Sequence, residues 1–114
     1  MTLEVSPLPL SDSQITDITV GREDLTVGLR LWNDERLTLT FRNVSGIEAF
    51  APIGQDISDC CEDANAPFLL RSREMEGDPA EAEAMKCYIF RSSVSDAPVL
   101  SIVAEWAEKA SSRP

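Results

Sequence analysis

Histidine is absent from the 114 residues. That removes the commonest general base at neutral pH, the usual partner of a Ser or Cys nucleophile, and the commonest nitrogen ligand for zinc. Glycine is scarce and dispersed, with five residues and no Gly-x-Gly or Gly-Lys arrangement, so phosphate-cradling loops are missing and nucleotide binding is not expected. No apolar run approaches the roughly 18 residues that a membrane span requires. Met1 to Leu10 shows no basic segment leading into an apolar stretch, so neither export nor membrane insertion is expected and the cytoplasm is the expected compartment. Positive charge is also short: ten Lys and Arg stand against twenty Asp and Glu, for a formal net charge of −10. Nucleic acid and anionic membranes bind proteins largely through Lys and Arg, which makes both poor partners here. A basic protein is the electrostatic complement, and the bland alternative is that the charge serves solubility. Aromatic residues are only 6% of the chain, and Trp32 and Trp106 read as packing residues rather than a stacking platform for bases.

Three cysteines leave an odd thiol in any disulfide scheme, so reduced thiols are expected. Adjacent Cys60 and Cys61 do not match the spaced pairs of a structural zinc site, and burial as small apolar residues is the simpler role. No metal and no cofactor is assigned. Carboxylates alone can catalyse, as in glycosidases, but they need a cleft between two placed acids, and a chain of this size offers little room for one. The expectation is therefore a protein that is not an enzyme, with no catalytic residues.

What is present is alternation. A single domain over residues 1–114 is expected, with an extended lead-in at 1–13, where Pro7 and Pro9 block helix and central strand, and a frayed tail at 108–114. From Ile15 the period becomes two, and Ile18 and Val20 share a face with Thr16. Gly21 to Asp24 reads as a turn. Leu25, Val27, Leu29 and Leu31 then alternate with polar partners, as do Leu37, Leu39 and Phe41, which predicts a three-stranded meander. A loop of Asn33, Asp34 and Glu35 sets Leu31 against Leu37, Leu29 against Leu39 and Val27 against Phe41, keeping apolar residues on one face. It also sets Trp32 across from Arg36. Val20 opposes Leu25 by the same rule.

Val44 to Ala66 has no clear period and reads as loop with at most one short helical turn, with Ile47, Phe50 and Ile53 able to reach the core. Phe68 to Met75 reads as a strand. Asp78-Pro79-Ala80-Glu81 has the residues of a helix start, an Asp cap with Pro at the first position and an acid in the first turn, and predicts a short helix towards Lys86. Cys87 to Arg91 and Val99 to Trp106 are apolar on both faces and read as central strands, with Phe90 opposite Leu100, Tyr88 opposite Ile102 and Cys87 opposite Val103. A turn of helix is expected after Glu105. The expected fold class is mainly β, an antiparallel meander or hairpin sheet forming a small sandwich or curved sheet, with one or two short helical pieces. The alternative is α+β. The expected core is Ile18, Val20, Leu25, Val27, Leu29, Leu31, Leu37, Leu39, Phe41, Tyr88, Phe90, Leu100 and Ile102.

Two acidic clusters are the candidate partner-binding residues: Asp56, Asp59, Glu62 and Asp63, then Glu74, Glu76 and Asp78 with Glu81 and Glu83 following. Neither matches a calcium loop with its fixed Gly and terminal Glu. Solvated surface is one reading of them. The other is that both lie on one side and present carboxylates to a cationic protein.

The stretch Leu25 to Gly46, LTVGLRLWNDERLTLTFRNVSG, has a strand ending in Trp, an Asp-containing turn, and an alternating strand ending in Phe. With the closing YIFRSSVSDAPVLSIVAE, it resembles small β-rich bacterial immunity proteins of polymorphic and contact-dependent toxin systems. The resemblance covers about half the chain. It implies a cytoplasmic, non-catalytic protein that binds and neutralises a cognate basic toxin, and carries over no catalytic residue. Separately, a monomer or homodimer is expected. The alternative function is a small-ligand-binding or accessory domain. A large exposed apolar patch beside the acids would favour protein binding, and a closed apolar pocket would favour a small ligand.

Overall fold

The computed structural model describes residues 8–112. Its strands are β1 (Leu8–Val20), β2 (Leu25–Arg30), β3 (Arg36–Arg42), β4 (Gly46–Ala49), β5 (Asp56–Glu62), β6 (Lys86–Ser92), β7 (Pro98–Ala104) and β8 (Trp106–Ser112). Helices α1 (Pro67–Met75) and α2 (Pro79–Ala84) lie between β5 and β6. The strands form one antiparallel sheet in the order β4-β7-β6-β5-β1-β2-β3-β8. The molecule is thus mainly β.

The sheet is strongly curved, and chain continuity explains why. β3 and β4 are one chain segment bent at Asn43 to Ser45, and β7 and β8 are another bent at Glu105. β3 pairs with β8 while β4 pairs with β7. The bends themselves are tied together, Glu105 N–H donating to the Arg42 carbonyl at 3.0 Å and Ser45 N–H to the Val103 carbonyl at 2.8 Å. Both ends of the strand order therefore belong to the same kinked ribbon, which folds the sheet onto itself. Phe41 on β3 consequently meets Tyr88 and Phe90 on β6 at centroid distances of 5.2 and 6.1 Å, although three strands separate β3 from β6 along the sheet. The enclosed core takes the inward residues of β2, β3, β6 and β7 together with Leu10, Ile15, Ile57, Cys60 and Ala107. A smaller apolar layer lies on the outer face, where Phe68 and Leu69 of α1 pack with Cys87, Ile89 and Val103.

The expected meander β1-β2-β3 is present, with Val20 opposite Leu25. The last pair has Phe90 opposite Leu100, Tyr88 opposite Ile102 and Cys87 opposite Val103, as expected. The β2–β3 register differs from expectation by two residues: Leu25 faces Phe41, Val27 faces Leu39 and Leu29 faces Leu37. The three-residue loop is Trp32, Asn33 and Asp34, one position earlier than expected. Asp34 N–H donates to the Leu31 carbonyl at 3.0 Å, and Asp34 adopts φ 65°, the left-handed conformation that such loops require at their third residue. A shift of two preserves the face, so Leu25, Val27, Leu29, Leu37, Leu39 and Phe41 are buried as expected while the cross-strand pairs change. Trp32 sits in the turn at 75% exposure, and Arg36 stands opposite Arg30 rather than Trp32.

Other expectations are corrected. Val20 is 65% exposed because it ends β1 at the hairpin tip, while Ile18 and Leu31 are only half-buried at the core margin. The lead-in expected over 1–13 joins the sheet from Leu8: Leu8 and Pro9 stand opposite Cys60 and Asp59 of β5. Its earlier residues lie outside those described. The loop expected over 44–66 contains β4 and β5, whose apolar period is broken by shortness in one and by a register shift between Ile57 and Asp59 in the other. Residues 68–75 are helix α1 rather than a strand, started by Pro67 and held by Leu69, which is buried on the outer sheet face. The frayed tail expected at 108–114, like the helical turn expected after Glu105, is replaced through Ser112 by β8, since the free edge of β3 offers it a ladder; 113–114 lie outside the described residues. α2 starts as expected, the Asp78 side chain accepting from Ala80 N–H at 2.9 Å. Among the described residues, no helix is long and apolar enough to cross a membrane.

Candidate functional site

The bends that curve the sheet also build a cleft of about 400 Å³. The β1–β2 turn contributes Arg22 and Glu23, the β3–β4 bend contributes Asn43, Val44 and Ser45, and the β7–β8 bend contributes Glu105. The helical segment supplies Glu76, Glu81 and Met85. Local hydrogen bonds hold the segments that line it. Val44 N–H donates to the Glu23 carbonyl at 2.7 Å, which holds the turn against the bend. Asn43 adopts φ 54° and its Nδ2 donates to Glu105 Oε2 at 2.5 Å. Glu76 Oε1 accepts from Asp78 N–H at 3.2 Å between the helices. Arg73 joins α1 to α2 by donating from Nε to the Ala82 carbonyl at 3.0 Å and from Nη2 to the Met85 carbonyl at 2.9 Å.

Four carboxylates thus converge on a cleft with one lining cation. The adjacent Glu105 carboxylate raises the Glu81 carboxyl above its ordinary value, with Asp78 and Glu76 adding to the effect. Like charge from Glu105 is the first cause, and partial desolvation in the cleft is the second. Beyond this group, Arg42 bridges Asp24 at 2.6 Å and Glu108 at 3.1 Å, and its guanidinium holds the Glu108 carboxyl below its usual value.

Apolar surface adjoins the acids. One side of the cleft runs into a hollow lined by Phe68, Met75 and Met85, with Met75 83% exposed. The other runs into a hollow of about 230 Å³ lined by Val20 and by Ile47, which is 40% exposed. Val44, Ser45 and Gly46 link the three.

Of the residues singled out from sequence, Glu76 and Glu81 line the cleft, and Asp78 caps α2 beside them. Glu74 is an exposed residue of α1. The other cluster is spread along β5 and the turn that follows it. Asp56 accepts from Gln14 Nε2 at 2.8 Å, and Gln14 in turn accepts from Arg30 at 3.0 Å. Asp59 stands opposite Arg91 and has one buried carboxylate oxygen without a hydrogen-bond partner among the described residues. Glu62 stands opposite Tyr88. Burial, followed by the Glu62 charge, pushes the Tyr88 hydroxyl up to about 12. Asp63 accepts from Asn65 N–H at 2.9 Å in the turn before α1.

Glu23 and Glu105 were not legible as site residues. Glu105 could have been found as the charge that interrupts the apolar run from Val99 to Trp106. Glu23 carries no such signal. The three cysteines are free, with Cys60 in the core and Cys87 beneath α1. Burial raises all three thiols, Cys87 to about 12, which disfavours the reactive thiolate. Among the described residues, no group of three or more Cys, Asp or Glu is arranged to hold a metal ion. Comparison with protein-family models, curated proteins and solved structures finds no match for this chain.

Proposed function

We propose that this chain is a non-catalytic protein-binding module that engages a basic protein through the acidic cleft, most concretely an inhibitor or immunity protein that neutralises a basic toxin in the cytoplasm. The observation that carries the reading is the convergence of Glu23, Glu76, Glu81 and Glu105 from separate chain segments onto one cleft bordered by exposed Val20, Ile47 and Met75. Charge of one sign steers a cationic partner and sets its orientation, while desolvated apolar contacts supply holding energy. The clefts are open and shallow, which suits a protein surface better than an enclosed small ligand.

The test is retention of a partner from native lysate by tagged protein at low and high salt, comparing wild type, the double variant Glu76→Lys/Glu81→Lys and the control Asp56→Lys. The expected result is a basic protein held by wild type and by the control at low salt, released at high salt, and not held by the double variant. Equal retention by all three at low salt would refute the reading.

One observation favours a second reading. Glu81 and Glu105 adjoin in a cleft and one of them is raised, which is the pattern of carboxylate acid and base chemistry. The pair lies at an exposed site where solvent and salt screen the shift, so binding is preferred. Hydrolysis of an aryl glycoside by the wild type, abolished in Glu81→Gln, would reverse that preference.

A further inference from the structure

β4 is an edge strand of four residues whose ladder partner among the described residues is β7. Phe50 N–H donates inward to the Val99 carbonyl at 2.9 Å. Hydrogen-bonding direction alternates along an antiparallel strand, so the amides and carbonyls of Ala49 and Ile47 face the open side. Edges of this kind are templates for another strand unless something covers them.

The open side of β4 borders the hollow of about 230 Å³ whose far wall is the β1–β2 turn. On the outer face the edge is flanked by α1, close enough that a Cβ on Gly46 would lie 3.0 Å from the Phe68 ring. Exposed Val20 and Ile47 give the slot apolar surface. Glu23 lines it and exposed Glu48 stands on the edge itself, while Arg22 also lines it and Asp24 is engaged by Arg42. Through Ser45 the slot opens towards Glu76, Glu81 and Glu105. A second copy of a chain carrying −10 is repelled from such a surface, whereas an extended cationic segment is attracted.

We propose that the β4 edge accepts an extended, cationic segment of the partner protein as an added strand. The proposal deepens the acidic-cleft reading and rests on it. Main-chain hydrogen bonds to Ile47 and Ala49 provide pairing, apolar side chains of the segment meet Val20 and Ile47, and its Lys or Arg side chains meet the surrounding carboxylates.

The experiment titrates the full chain at low salt with a fluorescent eight-residue peptide of alternating Lys and Val. The same peptide N-methylated at alternate backbone amides, in either register, is the matched probe, since it keeps the charge but cannot pair along one edge. On the protein side, Ala49→Pro removes an outward N–H without touching the β7 ladder, a place where an edge strand tolerates proline. Glu76→Gln/Glu81→Gln reports the charge contribution separately. The proposal expects at least about tenfold weaker binding for Ala49→Pro and for one of the two methylated peptides (a loss of roughly 1.4 kcal/mol). Equal binding of all peptides, with weakening only in the glutamine variant, overturns strand addition while leaving the acidic-cleft reading standing. No binding of the unmethylated peptide to wild type also overturns strand addition, and the lysate experiment then decides the wider reading. The methylated-peptide arm stands even if Ala49→Pro fails to fold.

Discussion

Phe41 joins the two layers of the curled sheet. It is fully buried, its ring meets Tyr88 at 58° and Phe90 at 74°, and it is the last inward residue of β3 before the Asn43 bend. Phe41→Ala is expected to cost about 3–5 kcal/mol, since the lost transfer energy is joined by a cavity between layers that cannot collapse. A urea melt followed by tryptophan fluorescence measures it, and a loss below about 1 kcal/mol would mean the layers do not meet at this ring. At the cleft the residue-scale effect has the opposite sign. Glu105 raises the Glu81 carboxyl, so the native state favours its protonated form. That contribution is present below the ordinary carboxylate value and is lost as pH rises through the raised one. Glu81→Gln is therefore expected to raise Tm at neutral pH, to leave it unchanged in acid, and to do less at high salt because the pair is exposed. A lower Tm at neutral pH would show that the two carboxylates do not repel.

At the scale of elements, α1 depends on the sheet beneath it more than on itself. It has no side-chain cap at its start and buries only Leu69 fully, with Phe68 half-buried over the β4 strand start. Gly46→Val is expected to push Phe68 outward and to cost about 1–3 kcal/mol by overpacking. Hydrogen exchange resolved by element should show α1 loosened ahead of β2 and β3, and uniform loosening would contradict this placement. The dependence explains why residues 68–75 read as a strand from sequence. A short apolar run bounded by proline fits either element, and what selects helix is the outer face formed by Cys87, Ile89 and Val103. β2 and β3 were legible because one wet face and one buried face impose a period of two on the side chains; β1 was legible as a strand, but its register shift between Ile15 and Asp17 buries Ile15 instead of following the face expected for Thr16, Ile18 and Val20. β5 was not, because its register shift puts Ile57 and Cys60 out of step, and β8 was not, because WAEKASS has no apolar period and is a strand only through its ladder with β3.

For the whole molecule, a charge of −10 on a small surface makes self-repulsion a general term in stability. Tm is expected to rise as salt is added from low ionic strength to about 0.15 M, where the Debye length falls to about 8 Å. A fall over that range in differential scanning calorimetry would mean that the ion group of Asp24, Arg42 and Glu108 outweighs the repulsion. On the proposed function, salt is expected to act in opposite directions on folding and on binding: screening that raises Tm would weaken the attraction for a basic partner.

By itself the sequence determined the fold class, the apolar faces of β2, β3, β6 and β7, the start of α2 and the net charge. Each of these follows from side-chain chemistry read at a local period or from a simple sum. Only the tertiary structure decided the rest: the identity of α1, the pairing of β4, β5 and β8, and the meeting of Glu23, Glu76, Glu81 and Glu105. The reason lies in sequence distance. The cleft exists because two bent segments pair along their length, and a bend at Glu105 brings that carboxylate beside Glu81 through contacts that no local pattern of residues encodes.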